Sequence, residues 1–275
     1  MRRNASAPGA PGDNPYQTIA SGFPGHIGCD IRYFQEVDST QRIAAALAQE
    51  GAAEGTVVIA ESQSAGRGRL GRSWHSPAGV NLYATAILRP RIAVSDVPQL
   101  GLAAGVALAE ALETVAPGLV GLKWPNDVWL AGRKGGGILA EALTDANSGL
   151  IAVLIGIGVN LNLPASEIPF ELRDKATSVL ATTGVRVDRV GFAEHLFRRL
   201  ELRYRAAETG GFRAVRELYQ RYFALNGRRV SVLEGDATTQ GIVRGVDADG
   251  ALILETTLGR LRILSGDVTL EGVYD

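Results

Sequence analysis

The chain changes character at Asn226-Gly227, and that break constrains its folding more than any other feature. Before it, β-branched apolar runs alternate with long helical patterns. After it come only short apolar runs, separated by Gly235-Asp236, Asp249-Gly250 and Leu258-Gly259. An Asp-Gly pair between such runs is a two-residue hairpin signal, because both central positions of that turn need positive φ. The last fifty residues therefore predict a small β-barrel, appended to a larger unit of helices and strands. Residues 1–30, rich in Pro, Gly, Ala and Ser, predict a mobile lead-in, with the larger unit over 31–225 and the barrel over 226–275. No internal repeat is visible.

Within the larger unit, Asp38, Ser39 and Thr40 offer N-cap side chains, and Gln41 follows Asp38 by three positions as in a capping box. That helix stops at Gly51. Thr56–Ala60 reads as a buried strand, and Val80–Leu88 alternates with Leu82, Ala84, Ala86 and Leu88 on one face. A helix is predicted from Ser95 to Ala116, ended by Pro117-Gly118, then strands at 119–124, 136–143 and 150–160. Asp188–Glu208 is an amphipathic helix with Ala193, Leu196, Phe197, Leu200 and Tyr204 on its apolar stripe, followed by a second helix over 212–224.

Composition removes several function classes. The 28 basic and 29 acidic residues leave a net charge of -1, which argues against bulk attraction to nucleic acid or an anionic membrane. A single cysteine, Cys29, allows no internal disulfide and no cysteine-built zinc site. His26, His75 and His195 have no metal-type spacing. No apolar run approaches the roughly 20 residues of a membrane helix, and the two arginines at the start precede no apolar block, so a secretory signal is not expected. The expected compartment is the cytoplasm, with monomer and homodimer equally open. Only three of the 28 basic residues are lysine, namely Lys123, Lys134 and Lys175. Positions that stayed lysine in so arginine-biased a chain are candidates for sites where a guanidinium cannot substitute.

Two stretches concentrate chemistry. In Gln63-Ser-Ala-Gly-Arg-Gly-Arg-Leu-Gly-Arg-Ser-Trp74, Gly66, Gly68 and Gly71 permit close backbone approach while Arg67, Arg69 and Arg72 supply three cations. Such a loop suits carboxylate and phosphate, yet it lacks the Lys-Ser/Thr ending of a P-loop. A solvated basic hairpin is the plainer reading. The second stretch is Lys123-Trp-Pro-Asn-Asp127 with Arg133-Lys134-Gly-Gly-Gly137. Asp127 could hold magnesium, and Lys134 beside Gly136 and Gly137 is a point charge next to open backbone, as a developing oxyanion requires. Its plain alternative is a turn followed by a flexible hairpin. Trp74 and Asn160 could meet a nucleobase; Trp124 and Trp129 read as core.

Taken together, Asp38-Ser-Thr, the arginine–glycine loop, Lys-Trp-Pro-Asn-Asp, Arg-Lys-Gly-Gly-Gly-Ile-Leu and Gly-Val-Asn resemble, in order and spacing, the biotin protein ligases (biotin–[acetyl-CoA-carboxylase] ligases) of the short form without an N-terminal DNA-binding domain. The likeness runs from about residue 31 to the end. It implies an α+β fold, a mixed-sheet catalytic domain with a small C-terminal SH3-like β-barrel. It also implies a two-step reaction: biotin and MgATP give biotinyl-5′-AMP and pyrophosphate, then a lysine of a biotin carboxyl carrier domain takes the acyl group.

By the same resemblance, Ser39, Thr40, Gln41 and Gln63 would meet biotin's ureido ring. Arg67, Gly68, Arg69, Lys134, Gly136 and Gly137 would line the biotin carboxylate region, with Lys134, Arg67 and Arg69 as the catalytic cations. Arg72, Trp74, Lys123, Asn126, Asp127 and Asn160 would bind ATP, and Asp127 the metal. Two positions depart from the family: Gln41 stands where Asn is usual, and Glu271 ends the last strand where some members carry a basic residue. Because only about thirty residues precede the Ser-Thr site, no winged helix and no DNA binding are expected. The competing readings are a lipoate ligase or octanoyltransferase, and a non-catalytic nucleic-acid binder using Arg67, Arg69 and Arg72.

Overall fold

The β-branched runs fall where the pattern puts them, on one large sheet. The structure, a computed structural model, describes residues 14–20, 26–147 and 149–270. Strand β1 (Asp30–Val37) passes through helix α1 (Thr40–Gln49) to β2 (Thr56–Gln63). After β3 (Leu82–Leu88) and α2 (Val97–Glu113) come β4 (Val120–Lys123), β5 (Asp127–Leu130), β6 (Arg133–Thr144) and β7 (Leu150–Val159). The sheet order is β1-β2-β3-β7-β6-β5-β4. Strands β1 and β2 are parallel, and the other pairs are antiparallel. Helices α3 (Val179–Thr183), α4 (Arg189–Gly210) and α5 (Arg216–Tyr222) follow. Strands β8 (Arg229–Glu234), β9 (Ala237–Val246), β10 (Leu252–Thr256), β11 (Gly259–Ile263) and β12 (Asp267–Leu270) then form an antiparallel sheet in the order β11-β10-β9-β8-β12. This is the α+β fold with a mixed sheet and a small C-terminal β unit that the resemblance implied.

The sheet has two unlike faces. Leu82, Ala84, Ala86 and Leu88 of β3 and Val153, Ile155, Ile157 and Val159 of β7 join the core formed with α2 and α4. Alanine and glycine let α2 lie close: a Cβ at Gly101 would sit 3.2 Å from Ala140. The opposite face carries α1, over Phe34, Val58, Ile87, Ala152 and Leu154. Along β7 that face continues from Leu154 to Gly156 and Gly158. Side chains alternate along a strand, so two glycines at this spacing remove two side chains from one face and leave a hollow beside the N-terminus of α1.

Several local expectations change. Ser39 is the N-cap residue of α1, but its side chain makes no capping bond, and Gln41 enters the sheet instead of reaching back. The cap is backbone geometry, and Asp38 pairs with Arg42 instead. The predicted helix over 212–224 is a 3-10 turn, Phe212–Ala214, followed by α5. The stretch Gly135-Gly-Gly137 is ordered strand rather than flexible hairpin. A Cβ would lie 2.6 Å from Leu130 at Gly135, 2.9 Å from Leu108 at Gly136 and 3.3 Å from Trp74 at Gly137, so close packing selects glycine there. Of the expected mobile lead-in, Tyr16 is packed: it is 1% exposed, 5.8 Å from the Tyr33 ring. A lone aromatic in a Pro/Gly-rich stretch has no periodicity to betray it. Residues 1–13, 21–25 and Glu271 lie outside the described residues.

The C-terminal sheet is fixed to the larger unit at the Asp249-Gly250 turn. Trp124 Nε1 donates to the Gly250 carbonyl at 2.9 Å, and Gly250 has φ +86°. A Cβ there would come within 2.4 Å of Leu102. The hairpin signal seen in the sequence is thus also a docking point, and Trp124 is core as expected.

Candidate active site

The hollow on the α1 face is the floor of a cavity of about 630 Å³, closed by the arginine–glycine loop, the β4–β5 turn, residues 168–176 and β12. Every predicted site residue lines it except Gly136. Gly136 points at Leu108 of α2, through the sheet, because it sits one residue out of phase with Gly137.

One end is built of hydroxyls and amides. Ser39, Thr40 and Gln41 are each no more than 5% exposed at the start of α1. Gln63 Oε1 accepts from the Thr40 N–H at 2.9 Å and from its hydroxyl at 3.2 Å, while Gln63 Nε2 donates to Ser76 Oγ at 2.9 Å. Gln41 sits over Gly156, where a Cβ would lie 2.5 Å from its Oε1. Thr85, which sequence reasoning passed over, joins these groups from β3. Its only signal was being the one hydroxyl-bearing aliphatic residue in Leu-Tyr-Ala-Thr-Ala-Ile-Leu.

The other end is cationic. The loop is a small hairpin: Gly68 N–H donates to Arg72 O, Trp74 N–H to Gly66 O, and the reversal places Leu70 at φ 55° and Gly71 at φ 72°. The plain hairpin reading was right about shape, but the hairpin faces the cavity. Arg69 Nη1 donates to Asn126 Oδ1 at 3.2 Å and to Gly266 O at 3.3 Å, and burial lowers its pKa. Arg72 is ion-paired with Asp267, which raises its pKa. The C-terminal sheet therefore holds the loop from outside, a contact no local pattern announces.

Across β4, β5 and β6, Lys134 Nζ lies 2.5 Å from Asp127 Oδ1, and Lys123 Nζ lies 3.9 Å from Asp127 Oδ2. Burial pulls the Lys123 pKa down, partly opposed by Asp127. Asn126 Nδ2 donates to Ile138 O, so this amide links β6 to Arg69. Trp74 lies over Gly158, where a Cβ would be 2.6 Å from the indole, with Lys134 Nζ 5.3 Å from its ring centroid. Trp74 Nε1 is buried with no hydrogen-bond partner, a donor that burial leaves costly unless a ligand accepts it. Asn160 is 8% exposed, its amide donating to Thr177 O and accepting from Asn81, so it braces the wall beside Lys134 more than it offers itself to a base.

Lys175 is the second residue missed. Its carbonyl accepts the Lys134 N–H at 2.8 Å, and it lines the mouth. All three lysines of the chain thus meet in one cavity, and their rarity was the signal. The lining holds six side-chain cations (Arg67, Arg69, Arg72, Lys123, Lys134 and Lys175) against the carboxylates of Asp127 and Asp267, while the whole chain carries -1. Low-dielectric walls focus such a field on the space between. The site suits a neutral, hydrogen-bonding group at one end and negative charge at the other.

Comparison with known proteins places the chain among relatives of known family. Residues 33–160 match the biotin/lipoate A/B protein ligase family, and residues 226–270 match the biotin protein ligase C-terminal domain. The bifunctional ligase/repressor BirA of Bacillus spizizenii is 38% identical over 244 residues, covering 89% of this chain and 75% of that protein. The biotin–[acetyl-CoA-carboxylase] ligase of Paracoccus denitrificans is 36% identical over 86% of this chain and 98% of its own. The biotin protein ligase of Aquifex aeolicus, solved in complex with biotin and ATP, superimposes with a TM-score of 0.76 at 31% identity, covering 88% of this chain and 98% of that one. By sequence and fold, the chain belongs to the biotin protein ligase family.

Proposed function

We propose that this cavity condenses biotin with ATP to biotinyl-5′-AMP and then transfers the acyl group to a lysine of a biotin carboxyl carrier domain. The observation that carries this reading is the continuity of a hydroxyl–amide end with a six-cation end in one cavity. Biotin has a ureido ring at one end and a carboxylate at the other, and the carboxylate must meet a triphosphate.

Ser39, Thr40 and Gln63 hold the ureido ring, with Gln41 behind them. Arg67, Gly68 and Arg69 gather the carboxylate and α-phosphate. A carboxylate oxygen attacks the α-phosphorus, the bond to the bridging oxygen of the β-phosphate breaks, and pyrophosphate leaves. Two anions approach in this step, so the Lys134 ammonium, already on a carboxylate 2.5 Å away, exchanges that partner for the reacting oxygens and is the main electrostatic catalyst. Trp74 forms the adenine side, with Asn160 bracing the wall beside Lys134, and Arg72, Lys123, Asn126 and Asp127 form the phosphate side. In the second step the carrier's neutral amine attacks the acyl carbon, the C–O bond to AMP breaks, and the new amide nitrogen gives up a proton.

Magnesium bound with the nucleotide would neutralise phosphate charge. Among the described residues no group of three or more His, Cys, Asp or Glu side chains converges, so a protein-built cage is not the match. Asp127, one carboxylate beside a phosphate site, fits a cation that brings phosphate and water ligands with it.

The parts divide as a biotin- and ATP-binding unit over 31–225 and a C-terminal barrel over 226–275 that steadies the loop through Gly266 and Asp267. The partner is a carrier domain of a biotin-dependent carboxylase in the cytoplasm. DNA is not a partner in this reading, since the positive charge converges inside the cavity. No helix among the described residues is long and apolar enough to cross a membrane.

Calorimetric titration with biotin, then with MgATP, tests the assignment. Biotin binding followed by pyrophosphate release is expected. ATP–pyrophosphate exchange supported by lipoate and not by biotin would transfer the chain to the lipoate-activating branch.

A further inference from the structure

We infer that Thr85 is a positioning residue for the ring-binding end of the cavity, bridging Thr40 and Gln41 where a cyclic urea would be held. The inference rests on the proposed biotin reading. Thr85 is 0% exposed at the middle of β3, and its hydroxyl has one proton facing two acceptors: Thr40 Oγ1 at 3.0 Å and Gln41 Oε1 at 3.2 Å.

Its neighbours are oriented from the backbone, while its single proton is shared between the two acceptors. Gln41 Nε2 faces two carbonyls, Leu139 O and Leu154 O, each at 3.5 Å. Only the NH₂ side of the amide suits them, so Oε1 turns to Thr85. At the far side, the Thr40 N–H fixes Gln63 Oε1 as an acceptor, and the Thr40 hydroxyl donates to that same oxygen. With its own proton given to Gln63, the Thr40 oxygen can only accept from a ligand, while Thr85 ties that oxygen to the Gln41 amide. An N–H of a cyclic urea is the group that meets this requirement, and a ring without N–H leaves the buried oxygen unanswered. Glycine at 156 is part of the device, because a Cβ there would strike Gln41 Oε1.

Thr85 touches no reacting atom, so its removal should act on biotin alone. In ATP–pyrophosphate exchange by the full chain, Thr85→Val should raise the KM for biotin about tenfold, equivalent to about 1.4 kcal/mol. The KM for ATP and kcat should stay within about twofold. Thr85→Ser, which restores the hydroxyl, should return the biotin KM to near the wild-type value. Thr85→Ala carries the same expectation as the valine variant should that one not fold. An unchanged biotin KM, equal rises for biotin and ATP, or no rescue by serine would overturn the role of Thr85. A wild-type chain without biotin-dependent exchange would instead overturn the biotin reading beneath it.

Discussion

Lys134 Nζ and Asp127 Oδ1 stand 2.5 Å apart on neighbouring strands, with the Trp74 ring centroid 5.3 Å from the same ammonium. The pair comes from a short hairpin whose strands need no loop beyond Ala131-Gly132, so both side chains ride on rigid backbone rather than on the arginine–glycine loop. An ammonium stored on a carboxylate is held in place until a more highly charged partner arrives.

Replacing Lys134 should therefore be the most damaging single change at the site. Lys134→Ala is expected to lower kcat for pyrophosphate exchange by about 100-fold or more, on the scale of losing one preorganised electrostatic contact. Lys134→Arg should recover little, since a planar fork cannot replace a compact ammonium between Asp127 and Trp74. Arg198→Lys, on the exposed face of α4, should leave exchange unchanged. Equal activity of the two conservative variants would remove Lys134 from the centre of the mechanism.

Lys175 joins the site only through tertiary structure, at the mouth beside Lys134. Lys175→Ala should raise the KM for ATP or weaken inhibition by pyrophosphate about tenfold, the scale of one charge-assisted contact. Biotin affinity, measured by calorimetry without nucleotide, should not move. A loss of biotin affinity with no nucleotide effect would place Lys175 at the wrong end.

Gly158→Ala tests the floor. Its Cβ would enter the indole of Trp74 at 2.6 Å, so the ring must tilt or the strand must shift. Overpacking of this kind costs about 1–3 kcal/mol, readable in urea unfolding. The displaced indole should raise the KM for ATP and alter tryptophan fluorescence. Wild-type stability and unaltered fluorescence would mean that Trp74 does not rest on this strand in solution.

Alkaline pH should loosen the attachment of β1. Burial, with Glu61 adding to it, raises the Tyr33 pKa from 10.0 to about 12, and its hydroxyl donates to Glu61 Oε2 at 3.0 Å. The folded state holds the proton more tightly than the unfolded state. That stability is full below pH 10 and is lost as pH rises through about 12. Thermal melting of Tyr33→Phe should fall less steeply than wild type across this window. Parallel curves would show that other groups govern the alkaline limit.

Much of this protein is determined by its sequence. The break at Asn226-Gly227, strands β2, β3, β4, β6 and β7 and both long helices follow from periodicity and turn chemistry, which act over a few residues, whereas β1 and β5 are not legible in the pattern. The arginine–glycine loop and the Lys-Trp-Pro-Asn-Asp turn announced a site by residue type and spacing, and the scarcity of lysine pointed to Lys123 and Lys134, whereas only the fold brought Lys175 to them. What only the tertiary structure decided is which groups face one another. Whether Gly136 or Gly137 lines the cavity depends on strand phase, and whether Gln41 caps a helix or lies on Gly156 depends on a strand more than a hundred residues away. Asp267 reaches Arg72 because Trp124 and Gly250 dock the two sheets. Such contacts are long-range pairings set by packing, and no local window of sequence contains both partners.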